Sequence, residues 1–147
     1  VKFICLRRHQ CQPHREAHCP VTGRAGPITL GSFDFQVTGE AVKTYRHVLG
    51  FDEEGEVPVT YATLVLTEPA VLKDLQAILG AQVPVHIAQA FEVMEALKAG
   101  QGYKVAMVLE PMRDEHMRLT GTFTDPSGDV CIVMRSEFLL VQPVAPT

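Results

Sequence analysis

From Gly31 the chain alternates. Phe33, Phe35 and Val37 fall on one side of an extended backbone, and Asp34 and Gln36 on the other. A period of two marks a half-buried strand. In TGEAVKTYRHVLG, residues 38–50, the period lengthens, and Val42, Tyr45, Val48 and Leu49 share one face of a helix. Thr38 can cap its N-terminus, Glu40 favours the positive end of its dipole, and Gly50 suits its stop. An acidic loop, FDEEGEVP, follows. Then VTYATLVLTEPAVLKDLQAILG, residues 59–80, reads as one long apolar helix ending at Gly80. Pro69 lacks a backbone donor, so it breaks or kinks this helix, with Thr67 placed to recap the second part. Val71, Leu72, Leu75, Ile78 and Leu79 form a buried stripe. Few polar side chains lie between Tyr61 and Leu72, which predicts burial on nearly every side, with Leu64 and Leu75 at the centre of the core.

Beyond this helix the pattern predicts only strands, near 84–95, 102–112, 115–125 and 129–141. His86 alternates with Ala88 and Ala90 along the first of them. The stretch from His86 to Met112 looks like two strands joined by a Lys-Ala-Gly-Gln-Gly turn, and DPSGD at 125–129 is a tight turn. The order is strand, helix, buried helix, then antiparallel strands. That is an α+β layout in which one sheet curls around one helix. Residues 1–27 have poor periodicity and contain Pro13, Pro20, Gly23, Gly26 and Pro27. They read as an irregular arm, and 28–147 as a single domain.

Composition narrows the partners. The chain has 147 residues, 46% apolar and 20% charged, which is enough for one domain with a real core. No apolar run reaches the roughly 18 residues of a membrane span. Residues 1–24 carry five cationic side chains and one acidic, a net +4, and the rest carries 8 basic against 16 acidic, a net −8. A basic arm thus precedes an acidic body. Such a body repels phosphates, and there is no basic stripe with interleaved aromatics, so nucleic acid is not an expected partner. Three of the four Cys lie in the arm, with Cys131 alone in a strand-like run. This is no disulfide framework. With no apolar leader at the start, the expected location is the reducing cytoplasm. The arm's CLRRHQCQPHREAHC offers Cys5, His9, Cys11, His14, His18 and Cys19 as zinc ligands. Five residues separate Cys5 from Cys11 and two separate Cys11 from His14, which is no standard finger spacing, so no metal is expected.

Several segments, in order, resemble the MaoC-like group of the hot-dog fold: the (R)-specific enoyl-CoA hydratases and the dehydratases of fatty-acid, polyketide and mycolate synthesis. HIAQAFEVMEALKAGQGYKV resembles that group's strand–turn–strand, with Gln89, Phe91 and Gly100 matching. FQVTGEAVKTYRHVLG resembles its opening strand and helix, VPVTYATL the approach to its central helix, and GTFTDPSGDVC its last hairpin. The resemblance spans about residues 30–141. It implies an antiparallel sheet wrapped on a central apolar helix, binding of acyl-CoA or acyl-carrier-protein thioesters, and assembly as a homodimer or hot-dog heterodimer. It implies no cofactor.

The same resemblance implies an Asp base with a His about five residues later, adding water across an enoyl double bond. Asp52 stands near the Asp position, but Val57 occupies the His position. The loop from Gly50 to Pro58 is also short, and Ala96 and Gln101 replace the usual Pro and Asp. His47 and His86 are the remaining candidate proton carriers. Against these roles, the acidic loop can be merely solvated, His47 a surface side chain and His86 a hydrogen-bonded structural one. Thr60 and Tyr61 stand where backbone N–H groups at the central helix start would hold a thioester carbonyl. Two alternatives follow: a catalytically degenerate subunit completing a partner's pocket, or a thioesterase using Glu68 or Asp74.

Overall fold

The computed structural model describes residues 26–145. Most of the basic arm, with its Cys/His cluster, lies outside the described residues. β1 runs from Ile28 to Val37, and its alternation holds: Phe35 and Val37 are buried, Phe33 is half-buried, and Asp34 and Gln36 face out. α1, Gly39–Val48, starts as its sequence predicts, with the Thr38 hydroxyl accepting from the Ala41 N–H at 3.2 Å. Only Val42 of its apolar face is buried and Tyr45 is half-buried. Val48 and Leu49, expected on that face, are 76% and 46% exposed, because α1 touches the body through its first two turns.

The central segment is two helices, not one. Val59–Thr67 is a 3₁₀ helix, and α2 runs from Pro69 to Leu79. The break has a steric cause: the proline ring drives the preceding residue out of helical geometry, and Glu68 is extended at φ −62°, ψ 131°. The first piece is rich in β-branched residues, which disfavour the α form. Its threonines turn back on the ladder: the Thr63 and Thr67 hydroxyls donate to the carbonyls of Thr60 and Leu64, each at 2.7 Å. Thr67 is therefore not the cap of α2, whose N-cap residue is Glu68 with no side-chain bond. Burial is one-sided. Tyr61, Ala62, Val65, Val71 and Leu79 are buried, Leu64 and Leu75 are half-buried against the core, and Leu72 is 50% exposed.

The strands are β2 (Val83–Val93), β3 (Gln101–Pro111), β4 (His116–Thr124) and β5 (Val130–Val141). Each lies within two residues of its expected bounds. They form one antiparallel sheet with the order β1-β3-β4-β5-β2. This is the hot-dog arrangement, with the inner rows of the strands closed on the helical segment. Leu109, Met117, Leu119, Phe123, Ile132 and Met134 fill that inner face, each 1% exposed or less.

One expectation reverses. β2 and β3 are not a hairpin: β2 pairs with β5 and β3 with β1 and β4. The connector 94–100 passes across the end of the sheet and tucks Leu97 into the core at 4% exposure. Gly100 ends it at φ +85°, a conformation that suits glycine, with its N–H bonded to the Val37 carbonyl at 2.6 Å.

Two truncations separate the buried row from the misjudged stripe. Leu119→Ala should lower stability by about 2–5 kcal/mol in a denaturant titration. Leu72→Ala should cost less than about 1 kcal/mol, since half of its surface already meets water. Equal losses at the two sites would contradict this packing.

Candidate functional site

The last turn of α1 carries Arg46, and the acidic loop folds around it. Its Nε donates to the Asp52 carbonyl at 2.7 Å and its Nη1 to the Glu56 carbonyl at 2.8 Å. The guanidinium also lies 5.5 Å from the centre of the Phe51 ring, within cation–π range. Gly55, at φ +149°, passes so close that a Cβ there would stand 2.6 Å from Nη2 of Arg46. The loop is thus short, with its backbone oxygens turned inward and its carboxylates outward. Asp52, Glu53, Glu54 and Glu56 are all exposed, and Lys43 pairs with Glu53 at 3.2 Å.

This loop forms one wall of an open cleft of about 500 Å³. Arg46, Phe51, Glu56, Val57, Pro58 and Val59 line one side, and Val93, Ala96, Leu97 and Ile132 the other. The lining is mostly apolar. The 3₁₀ helix that starts at the cleft is anchored by aromatic contacts. The Tyr45 hydroxyl donates to Thr60 Oγ1 at 2.9 Å, and Tyr45 packs edge-on against Tyr61 at 5.3 Å. Tyr61 leans on Phe35 at 5.8 Å, and Phe35 on Phe123 at 5.7 Å.

Thr60 is exposed, and its N–H has no backbone partner among the described residues. Tyr61 differs. Its side chain is buried, its N–H donates to the Pro58 carbonyl at 2.9 Å, and burial, with the Glu68 charge, raises its phenol above the usual range. A two-donor carbonyl clamp therefore reduces to Thr60. Asp52 and His47 are both exposed, and no ion pair or hydrogen bond joins their side chains. Val57, which stands where the resemblance leads one to expect a His, is buried in the wall.

His86 lies elsewhere. It stands on β2 seven positions before Val93, roughly 20 Å along the strand. It stacks on Phe138 at 5.0 Å, and its Nε2 meets the Ala88 carbonyl at 2.9 Å. A β-bulge between His86 and Ala88 moves these two residues to opposite faces, so the expected alternation fails there. Glu68 and Asp74 are half-buried and line no part of the cleft.

Two polar groups escaped the sequence reading. Arg46 had no signal beyond its place before an acidic loop. Ser136 is fully buried and donates to Gln89 Oε1 at 2.7 Å, while Gln89 Nε2 donates to the Arg135 carbonyl at 3.1 Å. Gln89, quoted above for the family pattern, is thus a tie between β2 and β5.

Glu95, Asp125 and Cys131 place donor atoms within 4.8 Å of one another. Each has a protein partner. Glu95 pairs with Lys98 at 2.7 Å, and Asp125 accepts the Ser127 and Asp129 N–H groups. The Cys131 thiol faces the Asp129 carbonyl at 3.6 Å. Burial first, then the charges of Asp125 and Glu95, push that thiol up, so it stays protonated at neutral pH.

No family model and no curated protein matches the sequence. Solved structures do match the fold. The HadBC (3R-hydroxyacyl-ACP dehydratase) complex of Mycobacterium tuberculosis aligns with a TM-score of 0.62 at 15% identity, covering 73% of this chain and 90% of that one. The R-hydratase PhaJ1 of Pseudomonas aeruginosa aligns at 0.53 and 11%, covering 87% and 93%. A hypothetical thioesterase with coenzyme A from Streptococcus pneumoniae aligns at 0.55 and 9%, covering 82% and 89%. At such identities the likeness carries the hot-dog fold alone.

Replacing Arg46 by Ala should cost about 1–3 kcal/mol, since two charged-donor bonds and a ring contact are lost. Amide exchange should accelerate at 51–57 while β3, β4 and β5 keep their protection. Unchanged exchange in the loop would mean that it holds its shape without the guanidinium.

Proposed function

We propose that this chain is an acyl-thioester-binding hot-dog protein in which the hydration dyad has been lost. The observation that carries the reading is the apolar cleft at the start of the 3₁₀ helix. It offers an apolar wall for an acyl chain that ends at Val59, and the next residue, Thr60, is exposed with an N–H that has no backbone partner among the described residues. An N–H at a helix start is a suitable donor to a thioester oxygen. Hydration of an enoyl thioester also needs a base on water and a proton donor. Asp52 is a candidate base, but the loop pairs it with no imidazole, and His86 is far along β2. Glu68 and Asp74 lie outside the cleft, which disfavours the thioesterase alternative.

The free side of β2 supports a paired state. Among the described residues, β2 bonds on one side only, to β5. Residues 83–91 carry no Asp, Glu, Lys or Arg, and Val83, Val85 and Ile87 are each more than 40% exposed. Exposed edges without charges invite strand pairing. The partner is a second hot-dog subunit, either another copy or a related chain that retains the dyad. HadBC is described as a complex, which fits either form. Sedimentation should give at least twice the 16.2 kDa chain mass at micromolar concentration. A lone monomer there would remove the homodimer, leaving the related chain as the partner to seek.

Activity is the direct test. A general acid or base typically contributes about 10²–10⁴-fold. The purified chain should therefore hydrate crotonyl-CoA slowly or undetectably, and Asp52→Asn should change little. Turnover in the range of about 1–10³ s⁻¹ that collapses in Asp52→Asn would make Asp52 a true base and overturn the degenerate reading.

A further inference from the structure

We propose that Arg46 is a binding residue of the cleft and holds an oxyanion of its thioester ligand, either a carboxylate at the far end of the acyl group or the phosphate of a pantetheine carrier. This rests on the thioester reading and adds the group that recognises the ligand's charged part. Arg46 is half-buried and is the cation in the cleft lining. Its Nε donates to the Asp52 carbonyl and its Nη1 to the Glu56 carbonyl. A guanidinium has five N–H groups. One on Nη1 and both on Nη2 therefore have no hydrogen-bond partner among the described residues. No carboxylate there forms an ion pair with Arg46 either. Lys43 of the same helix is the cation that pairs with the acidic loop, through Glu53 at 3.2 Å. The charge of Arg46 is thus met by two neutral carbonyls and the Phe51 ring. A guanidinium with uncommitted donors on both terminal nitrogens matches the several oxygens of a carboxylate or phosphate.

The two carbonyl bonds also prepare the side chain. They fix the guanidinium before any ligand arrives, so little rotamer freedom is left to lose on binding. Gly55 keeps space beside it. A Cβ at that position would stand 2.6 Å from Nη2, the nitrogen with both N–H groups uncommitted. Glu56 is the carboxylate in the lining, and an incoming anion meets it as like charge. Its side chain is exposed, as are those of Asp52, Glu53 and Glu54, so water and salt weaken that repulsion. Direct hydrogen bonds from a half-buried guanidinium outweigh it. The rest of the lining is apolar. The cleft therefore presents two kinds of surface, an apolar wall and a fixed cation, and suits a ligand with an uncharged stretch and one anionic group.

Calorimetry on the full chain tests this with three thioesters. Butyryl-pantetheine carries no charge, glutaryl-pantetheine is the same acyl group with a terminal carboxylate, and butyryl-phosphopantetheine puts the charge on the carrier. At least one anionic thioester should bind about tenfold or more tightly than butyryl-pantetheine, the low end for hydrogen bonds to a charged group. Which one does so identifies the source of the oxyanion. In Arg46→Gln the ratio of anionic to uncharged affinity should fall close to one. Loosening of the loop weakens all three ligands alike and leaves that ratio where it was, so the ratio separates binding from a purely structural role. Side-chain NMR of the unsubstituted chain gives a second reading that does not depend on the variant folding. The preferred anionic thioester should shift the Arg46 Nη resonances and slow their proton exchange, and butyryl-pantetheine should not. Equal affinities for all three thioesters, or an anionic preference that survives in Arg46→Gln, would overturn the inference and leave the thioester reading intact. Binding of none of them would overturn the thioester reading itself, and the inference with it.

Discussion

One apolar segment has to cover the inner face of five strands. Among the described residues, Val59–Leu79 is the helical stretch that lies in the sheet's cradle. Pro69 imposes the main constraint. A continuous helix of that length would run straight at 1.5 Å per residue. Breaking at Glu68–Pro69 lets the first piece pack Tyr61, Ala62 and Val65 against one end of the sheet and α2 pack Val71 and Leu79 against the other. The same break leaves Leu72 in water and a small apolar gap among Leu75, Leu79, Pro84, Leu109, Met117 and Phe138. The 3₁₀ helix starts at the cleft, with Val59 in its wall.

A second constraint is local. The acidic loop must turn from α1 into the 3₁₀ helix within the residues between Val48 and Val59. Four carboxylates in that span repel one another, and the short path leaves carbonyls with no ladder to join. Arg46 answers both difficulties, because a planar guanidinium donates to two carbonyls while its charge offsets the carboxylates around it. This wall of the cleft is consequently a loop pinned by Arg46, mostly apolar where it lines the cleft and with its carboxylates exposed.

How much of this is legible in the sequence differs by element. β1, α1 with its Thr38 cap, and the bounds of β2 to β5 follow from local periodicity and capping, because those patterns reflect contacts made within or directly beside the element. The α+β order and the helix-on-sheet layout follow from the same local patterns. Most of what failed was non-local. The separation of β2 from β3 depends on which strands compete for pairing, and a Gly-rich connector looks the same in a hairpin and in a crossover. The bulge after His86 shifts one residue without any glycine to announce it. The 3₁₀ form of Val59–Thr67 reflects β-branching and threonine back-bonds that an apolar run conceals. At the candidate site, Asp52 and Thr60 are legible as residues of the acidic loop and of the helix start, because each is read from its own segment. Arg46 and the Ser136–Gln89 tie could not, since each acquires its meaning only from carbonyls and side chains brought from other segments.

Val57, which stands where the resemblance leads one to expect a His, is fixed by this packing. Val57 is 7% exposed and forms part of the wall between Glu56, held by Arg46, and Pro58, which accepts the Tyr61 N–H. An imidazole at that position would enter an apolar site, and burial there disfavours the charged form that a proton donor must visit. It would also need a hydrogen-bond partner for each ring nitrogen, and the Asp52 side chain is exposed. Reversing one residue would therefore not rebuild a dyad. The backbone around Arg46 would have to open first, so that a carboxylate and an imidazole could meet over a water. The mostly apolar wall at this position is in this way a property of the whole folded loop.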